Sequence, residues 1–235
     1  MLVQLSSGRF ASAVAWVPGA PFGEANLPLG GSPAQQAERH HALGRLLAQV
    51  HRATDALTLP DGFTRPRWDI DGLLGEAPFW GRFWEHTALL PDEAILARRA
   101  RDFLHERIGD HAAKGGDFGL IHADVLRENV FVDGAALSLI DFDDSGFGFR
   151  LYDLGTVLSQ SLKEPALHCI AEALVDGYGA ARSCDAAMIP VFTLMRCCAS
   201  VGWAMPRLDV GDPVHRSHIG RMLRLAERVL ANGGL

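Results

Sequence analysis

The chain has 235 residues, of which 48% are hydrophobic and 21% charged, and its 22 basic and 28 acidic residues give a net charge of −6. These proportions are typical of a folded globular protein and exclude a disordered or collagen-like chain. A net negative charge disfavours nucleic acid as a partner, since such proteins need a basic stripe. Four cysteines without a CxxC pair exclude a zinc ribbon and indicate the reduced thiols of a cytoplasmic protein.

The first 30 residues predict a short β segment followed by a linker. Two apolar runs, residues 3–5 and 10–17, flank a turn at residues 6–9, which is the pattern of a β-hairpin. No basic segment followed by an apolar run is present, so no secretory signal is predicted. Prolines and glycines between residues 18 and 33 indicate the linker.

Two long helices and an irregular segment are predicted next. Ser32 is a suitable N-cap and Pro33 a suitable first residue for a helix, and apolar residues at helical spacing follow up to residue 50. A second helix is predicted over residues 91–111. Between the helices, residues 58–78 are rich in proline and glycine, which predicts an irregular excursion with Trp68 inserted into the core.

The character of the chain changes at residue 118. Residues 118–121 predict a strand, and the runs 130–132 and 137–140 around Asp133-Gly134 predict a hairpin. Three or four helices should fill residues 151–232, with breaks near Pro165, Ser183, Pro206 and Pro213. The most apolar stretch, residues 188–205, carries Arg196 in its middle, which favours a buried helix over a membrane span.

A group of polar residues around this hairpin is the strongest functional signal. An apolar strand leads into His122-Ala123-Asp124, Asn129 follows five residues after Asp124, and a second apolar run ends at Asp141. Phosphoryl transfer needs one carboxylate to orient and deprotonate the attacking hydroxyl, and hard oxygen ligands to hold Mg²⁺ at the nucleotide phosphates. Asp124 suits the first role and Asn129 with Asp141 the second. The alternative is an ordinary polar loop in which Asp124 and Asn129 only cap turns.

The pattern resembles the catalytic and metal loops of the aminoglycoside phosphotransferase and choline kinase group, within the protein-kinase-like fold. Three further segments strengthen the resemblance. Tyr152-Asp153-Leu154 is similar to the family's stretch that opens the next helix, Trp16-Val17-Pro18-Gly19 to the hinge that meets adenine, and residues 46–51 to the end of the first helix after that hinge. The resemblance covers most of residues 10–160.

The resemblance implies ATP and Mg²⁺ as cofactors and a role for each matching residue. Asp124 would be the catalytic base, and Asn129 and Asp141 the metal ligands. The backbone near Ala15 and Val17 would hydrogen-bond adenine. In addition, His122 would brace the loop, and Asp153 would fix nearby backbone N–H groups. The fold implied is α+β and protein-kinase-like. A remnant of the small β lobe and the hinge would occupy residues 1–30, and a mostly helical C-terminal lobe with a central β-hairpin residues 31–235.

The front of the chain departs from the family. No glycine-rich phosphate loop or strand lysine precedes the hinge, since the only lysines are Lys114 and Lys163. We therefore expect a truncated or degenerate chain with weak or no activity. Two roles stay open in the site. Arg127 could neutralise phosphate charge or pair with Glu128 in solvent, and Asp143 could join the metal ligands or face the substrate.

The sequence predicts an ATP- and Mg²⁺-dependent phosphotransferase that acts on a hydroxyl of a small molecule resembling an aminoglycoside, choline or homoserine. The acidic stretch with Asp141, Asp143 and Asp144 would suit a cationic acceptor. Nucleic acid and membranes are not expected as partners. Two alternatives remain. One is a bacterial serine/threonine protein kinase of the stress-response type, although such kinases usually carry lysine where Leu126 stands. The other is a non-catalytic kinase-like fragment.

Overall fold

A computed structural model describes residues 2–235, and helices make up most of its regular structure. The helices are α1 (Pro33–Asp55), α2 (Ile70–Leu74), α3 (Pro91–Ala113), α4 (Leu151–Ser159), α5 (Leu167–Gly179), α6 (Ile189–Ala204) and α7 (Pro213–Asn232). The strands are β1 (Leu2–Gln4), β2 (Phe10–Ser12), β3 (Ala20–Pro21), β4 (Arg67–Trp68), β5 (Phe118–Ile121), β6 (Val130–Asp133), β7 (Ala136–Leu139) and β8 (Gly146–Phe149). The predicted α+β class is confirmed.

Helix α1 begins at Pro33, as predicted, because Ser32 caps it. The Ser32 hydroxyl accepts a hydrogen bond from the backbone N–H of Gln35, and the Gln35 side chain accepts one from the backbone N–H of Ser32. Further along, α1 crosses α5 with their backbones in contact. A Cβ on Gly44 would lie 2.2 Å from the Leu174 carbonyl oxygen, so only glycine permits this approach. The two helices therefore pack as one tight pair.

The strands form three small sheets in the described residues. β1 pairs with β2 as the predicted N-terminal hairpin, but β2 ends at Ser12 instead of running to Val17. β6 and β7 form the predicted central hairpin, and β3 joins its other edge antiparallel to β6. The third sheet has the order β4-β8-β5. Neither β4 nor β8 was predicted, and β8 runs antiparallel to β5.

The core lies between the helices that follow the hairpin. Helix α4 is buried along its whole length and α6 nearly so, and the two pack against each other. One segment, Ala186–Ala204, is long and apolar enough to span a membrane by composition, but most of it is buried inside the protein, as expected of a core helix. Trp68 is also buried, as predicted. The division of the chain at residue 30 into two lobes stays a prediction.

Candidate active site

Asp153 in the first turn of α4 fixes the loop that follows β5. Its carboxylate is fully buried and accepts hydrogen bonds from the backbone N–H groups of His122 (3.0 Å) and Ala123 (2.7 Å). A third bond, 2.9 Å long, joins it to Nε2 of His51 in α1. Burial alone would raise the pKa of Asp153, but the hydrogen bond and charge of His51 hold the pKa below its usual value. Asp153 therefore stays an anion that anchors the loop.

The anchored loop has a strained backbone at one residue. Ala123 has a φ of +69°, in the left-handed region that residues with a Cβ seldom adopt. The bonds to Asp153 hold it there. This turn directs the next side chain, that of Asp124, away from the core, so that Asp124 is half-buried although both of its neighbours are buried.

His122 links this loop to the segment that carries Asp141. Its ring donates from Nε2 to the Ile140 carbonyl oxygen at 2.9 Å, and its Nδ1 accepts from the backbone N–H of Asp124 at 3.3 Å. The backbone N–H of Ile140 also donates to the carbonyl oxygen of Asn129 at 3.0 Å. The bracing role that the sequence suggests for His122 is therefore visible as hydrogen bonds between the two loops.

Both oxygens of the Asp124 carboxylate are held by side chains. Asn129 donates from Nδ2 to Oδ2 at 3.0 Å, and Arg196 donates from Nη2 to Oδ1 at 2.7 Å. Arg196 comes from α6, is only 6% exposed and lies over the Trp80 ring, 5.4 Å from its centroid. Sequence reasoning used Arg196 only as an argument against a membrane span. The guanidinium and the amide together fix the direction in which Asp124 points.

The two predicted metal ligands have oxygens suited to a hard cation. Because the amide nitrogen of Asn129 bonds to Asp124, its amide oxygen is the atom left for a cation. Asp141 is exposed, with a φ of +61°, and one oxygen accepts a long 3.4 Å bond from the backbone N–H of Asp143. No group of three or more His, Cys, Asp and Glu side chains within residues 2–235 forms a metal site by itself. Mg²⁺ in kinases needs only one or two such ligands besides the phosphates, so the residues fit it.

The third carboxylate near this site belongs to Asp144. Burial raises its pKa, and the negative charges of Asp124 and Asp141 raise it further. Asp124 and Asp141 are therefore close enough to act on the charge of Asp144. Convergence of the Asn129 and Asp141 side chains on a single cation stays a prediction.

Arg127 does not form the solvent-exposed pair with Glu128 that was one of its two possible roles. It is buried and donates to the Glu164 carboxylate at 2.8 Å and to the Leu27 carbonyl oxygen at 2.9 Å. It therefore joins the 3₁₀ turn at residues 127–129 to the segments before α1 and before α5. Glu128 bonds instead to the side chain of Gln160 at 3.1 Å. The expected pair with Glu128 was wrong because the partner of Arg127, Glu164, lies 37 residues downstream. A role at the phosphates stays a prediction.

The predicted adenine-binding backbone lies apart from these loops in the sequence. Ala15 and Val17 belong to a stretch without regular structure between β2 and β3. Ala15 is exposed and Val17 half-buried, so the backbone of this stretch is accessible to a ligand. Their contact with adenine stays a prediction.

A cavity of about 710 Å³ opens beside Asp124. Its walls come from residues 25–28, from the loops carrying Asp124 and Asp144, from α6 through Arg196, and from one face of α7. Trp80 and Trp203 also line it. The volume falls within the range of small-molecule sites, and the carboxylate of Asp124 lies on its wall. A hydroxyl compound held here would face that carboxylate.

Proteins similar to this chain are phosphotransferases. A family model described as "Phosphotransferase enzyme family" matches residues 2–188. The homoserine kinase of Methylobacterium radiotolerans is 32% identical over 181 residues, which are 74% of this chain and 53% of that protein. This chain therefore spans about half the length of the curated relatives it matches.

Solved structures agree with the sequence relatives. The microcompartment-associated aminopropanol kinase is 30% identical, with a TM-score of 0.77 over 100% of this chain and 76% of that one. Amicoumacin kinase hAmiN, solved with AMP-PNP, Ca²⁺ and Ami, has a TM-score of 0.67 over 97% and 71% of the two chains. At 18% identity, the latter supports the fold alone. The predicted protein-kinase-like fold and the resemblance to aminoglycoside phosphotransferases are confirmed.

Proposed function

The chain belongs to the phosphotransferase enzyme family, and from that premise we propose that it transfers the γ-phosphoryl group of ATP to a hydroxyl of a small molecule. The observation that carries the proposal is the Asp124 carboxylate, held by Arg196 and Asn129 on the wall of a cavity of about 710 Å³. An oxygen fixed in this way can orient an acceptor hydroxyl before the nucleotide reacts.

Each residue of the site has a separate role in the proposed reaction. As the acceptor oxygen bonds to the γ-phosphorus and the bond from that phosphorus to the β-γ bridging oxygen breaks, Asp124 takes the hydroxyl proton. ADP leaves with the bridging oxygen. Asn129 and Asp141 are the proposed ligands of Mg²⁺, which when bound would neutralise charge on the phosphates. The backbone at Ala15 and Val17 is the proposed contact to adenine.

The acceptor is proposed to be a small hydroxy-amine or hydroxy amino acid. Relatives of this chain are named for homoserine and for aminopropanol, which both carry a hydroxyl on a short carbon chain. The cavity beside Asp124 holds a molecule of that size with room to spare. A protein substrate is the weaker alternative, because the relatives reported above are all named as kinases of small molecules.

The test is a transfer assay with radiolabelled ATP and Mg²⁺. The acceptors are L-homoserine, L-threonine, 3-amino-1-propanol, 1-amino-2-propanol and, separately, casein. We expect a low level of label in a small molecule, in keeping with the weak activity expected of this chain, and we expect Asp124→Asn to reduce transfer by about 10²–10⁴-fold, as for a lost general base. Asp133→Asn, at the end of β6 in the hairpin, is the matched control and should transfer normally.

Three results would overturn the proposal. Label on casein alone would favour the protein-kinase alternative. Transfer that is independent of Asp124 would show that the base is misassigned. A chain that neither binds Mg²⁺·ATP in a calorimeter nor transfers phosphate would be the non-catalytic fragment.

A further inference from the structure

One wall of the cavity beside Asp124 is unusually basic. Arg221, Arg224 and Arg228 follow each other on α7 at spacings of three and four residues, which places them on one helix face, and all three line the cavity. Arg196 lines the same cavity from α6. No acidic side chain in residues 2–235 lies within ion-pair distance of the three α7 arginines.

The carboxylates of the cavity do not balance this charge, because most are already bound. Glu164 pairs with Arg127, Glu128 accepts from Ala25 and Gln160, and Asp124 is held by Arg196 and Asn129. The remaining one, Asp144, has a raised pKa, mainly because of burial. The α7 wall therefore carries excess positive charge.

Several guanidinium donors on this wall are buried without an acceptor. Nε of Arg221 and both Nε and Nη1 of Arg196 have no hydrogen-bond partner among the described residues. Arg196 is 94% buried, its Nη2 donates to Asp124, and the buried Tyr152 hydroxyl lies beside its guanidinium. The open donors of Arg196 and Arg221 are closed to solvent. A ligand in the cavity would therefore meet the other guanidinium nitrogens of the α7 arginines, which have no acidic partner in the described residues.

His218 shows the effect of the same positive charge. It lies on α7 one turn before Arg221 and lines the cavity. Burial lowers its pKa to about 4, and the charges of Arg221 and Arg196 contribute to that shift. At neutral pH the ring is therefore uncharged and its Nδ1 bonds to the Ser200 carbonyl oxygen. His218 neither adds to the positive charge nor offsets it.

We propose that the α7 face formed by Arg221, Arg224 and Arg228 binds an acidic group of the acceptor, a carboxylate or a phosphate, and so holds the acceptor hydroxyl toward Asp124. The planar guanidinium donates paired hydrogen bonds that match such oxygens. The inference rests on the proposed function and adds the acceptor's charge to it. It reverses the expectation that the acidic residues Asp141, Asp143 and Asp144 select a cationic acceptor. Those residues belong to the loop assigned to the metal.

The test uses pairs of compounds that differ only in the acidic group. L-Homoserine is matched by 3-amino-1-propanol, L-threonine by 1-amino-2-propanol, and glycerol 3-phosphate by glycerol. Binding to the full chain is measured by isothermal titration calorimetry without ATP, so no turnover is needed. We expect the acidic member of at least one pair to bind about tenfold or more tightly than its partner. The first two pairs probe a carboxylate and the third a phosphate.

Two variants connect the preference to α7. Arg221→Gln and the more exposed Arg224→Gln should each reduce the preference for the acidic member. Arg99→Gln, on the exposed side of α3, is the matched control and should leave it unchanged. Arg224→Gln keeps the test valid if the partly buried Arg221 variant folds poorly.

Three results would contradict the proposed anion site on α7. Equal or tighter binding of the partners that lack the acidic group would overturn the inference, as would a failure of every acidic member and of inorganic phosphate to bind at about 10 mM. Equal losses in Arg224→Gln and Arg99→Gln would also overturn it. The proposed function fails separately: acid-dependent binding without any phosphoryl transfer would contradict the function and leave the anion site intact.

Discussion

The loops that carry the proposed catalytic and metal-binding residues are held in opposite ways. The catalytic loop, residues 122–129, is fixed by Asp153 of α4, which is itself bonded to His51 of α1, and by Arg196 of α6. The metal loop, residues 141–145, is largely exposed. Arg65 holds its backbone by donating to the carbonyl oxygens of Phe142 (2.8 Å), Asp143 (2.7 Å) and Ser145 (2.6 Å).

The difference shows how the fold divides two tasks. In the catalytic loop the functional carboxylate itself is bound, so folding determines where Asp124 points. In the metal loop Arg65 holds backbone carbonyls and the Ser145 hydroxyl, and the carboxylate of Asp141, with only a long bond from Asp143, is left accessible to a cation. Substitutions of the first loop's functional carboxylate should therefore change stability as well as rate, whereas substitutions of Asp141 should mainly change ligand binding.

The largest effect should come from removing the anchor of the catalytic loop. Asp153→Ala leaves the N–H groups of His122 and Ala123 and the buried His51 without their acceptor, at a cost of about 3–5 kcal/mol. Thermal unfolding should shift by roughly 10 °C or more at this chain length. Asp143→Ala in the exposed loop is the matched variant and should change stability by less than about 0.5 kcal/mol. Equal shifts would remove the distinction between the loops.

Substitutions of Asp124 and Asp141 should have different effects on nucleotide binding. Asp124→Asn removes the proton acceptor and should leave the affinity for Mg²⁺·ATP nearly unchanged. Asp141→Asn removes a metal ligand and should weaken that affinity by about tenfold or more. Asparagine tolerates the φ of +61° at residue 141, so the loop should keep its shape. Calorimetry of both variants gives the answer. If Asp124→Asn weakens binding as much as Asp141→Asn, Asp124 is not acting as the base.

The smallest effect concerns the charge of Asp144, a half-buried carboxyl of the metal loop. Because burial and the neighbouring carboxylates raise its pKa, ionised Asp144 opposes folding, and the unfavourable contribution is complete only above that raised pKa. Asp144→Asn should therefore raise the unfolding temperature by about 2 °C at pH 7. The gain should shrink as the pH falls below the raised pKa and disappear near about pH 3, below the pKa of the carboxyl in the unfolded chain, where it is protonated in both states. A rise in unfolding temperature that is independent of pH, or that Asp133→Asn also shows, would contradict the attribution to the raised pKa of Asp144.

Local signals in the sequence predicted the central hairpin and the helices other than the short α2, which lies in a segment predicted to be irregular. Ser32 and Pro33 place the start of α1, and alternating apolar residues indicate β6 and β7. Strand β8 was missed because glycine has low strand propensity. In the fold Gly146 is required there, since a Cβ would lie 2.4 Å from the Pro66 carbonyl oxygen. That contact joins segments 80 residues apart and leaves no local pattern.

The same limit applies to the candidate site. The motif spacing identified Asp124, Asn129 and Asp141, whose roles stay predictions, and it suggested the bracing bonds of His122. It gave no sign that Arg196 would reach Asp124, because the two are 72 residues apart and Arg196 stands in an apolar helix. The arginines of α7 recur at helical spacing, as they would on any solvated helix face. Only the tertiary structure turns that face toward a cavity.

The anchor at Asp153 also has a consequence for how the protein is made. His51 bonds to Asp153, 102 residues later, and to the hydroxyl of Tyr178, 127 residues later. A nascent chain that has reached only the hairpin already contains Asp124 but neither of these partners. The loop can take its final form only after α4 and α5 have left the ribosome. The part of the chain that most resembles a kinase is therefore among the last to acquire the geometry of one.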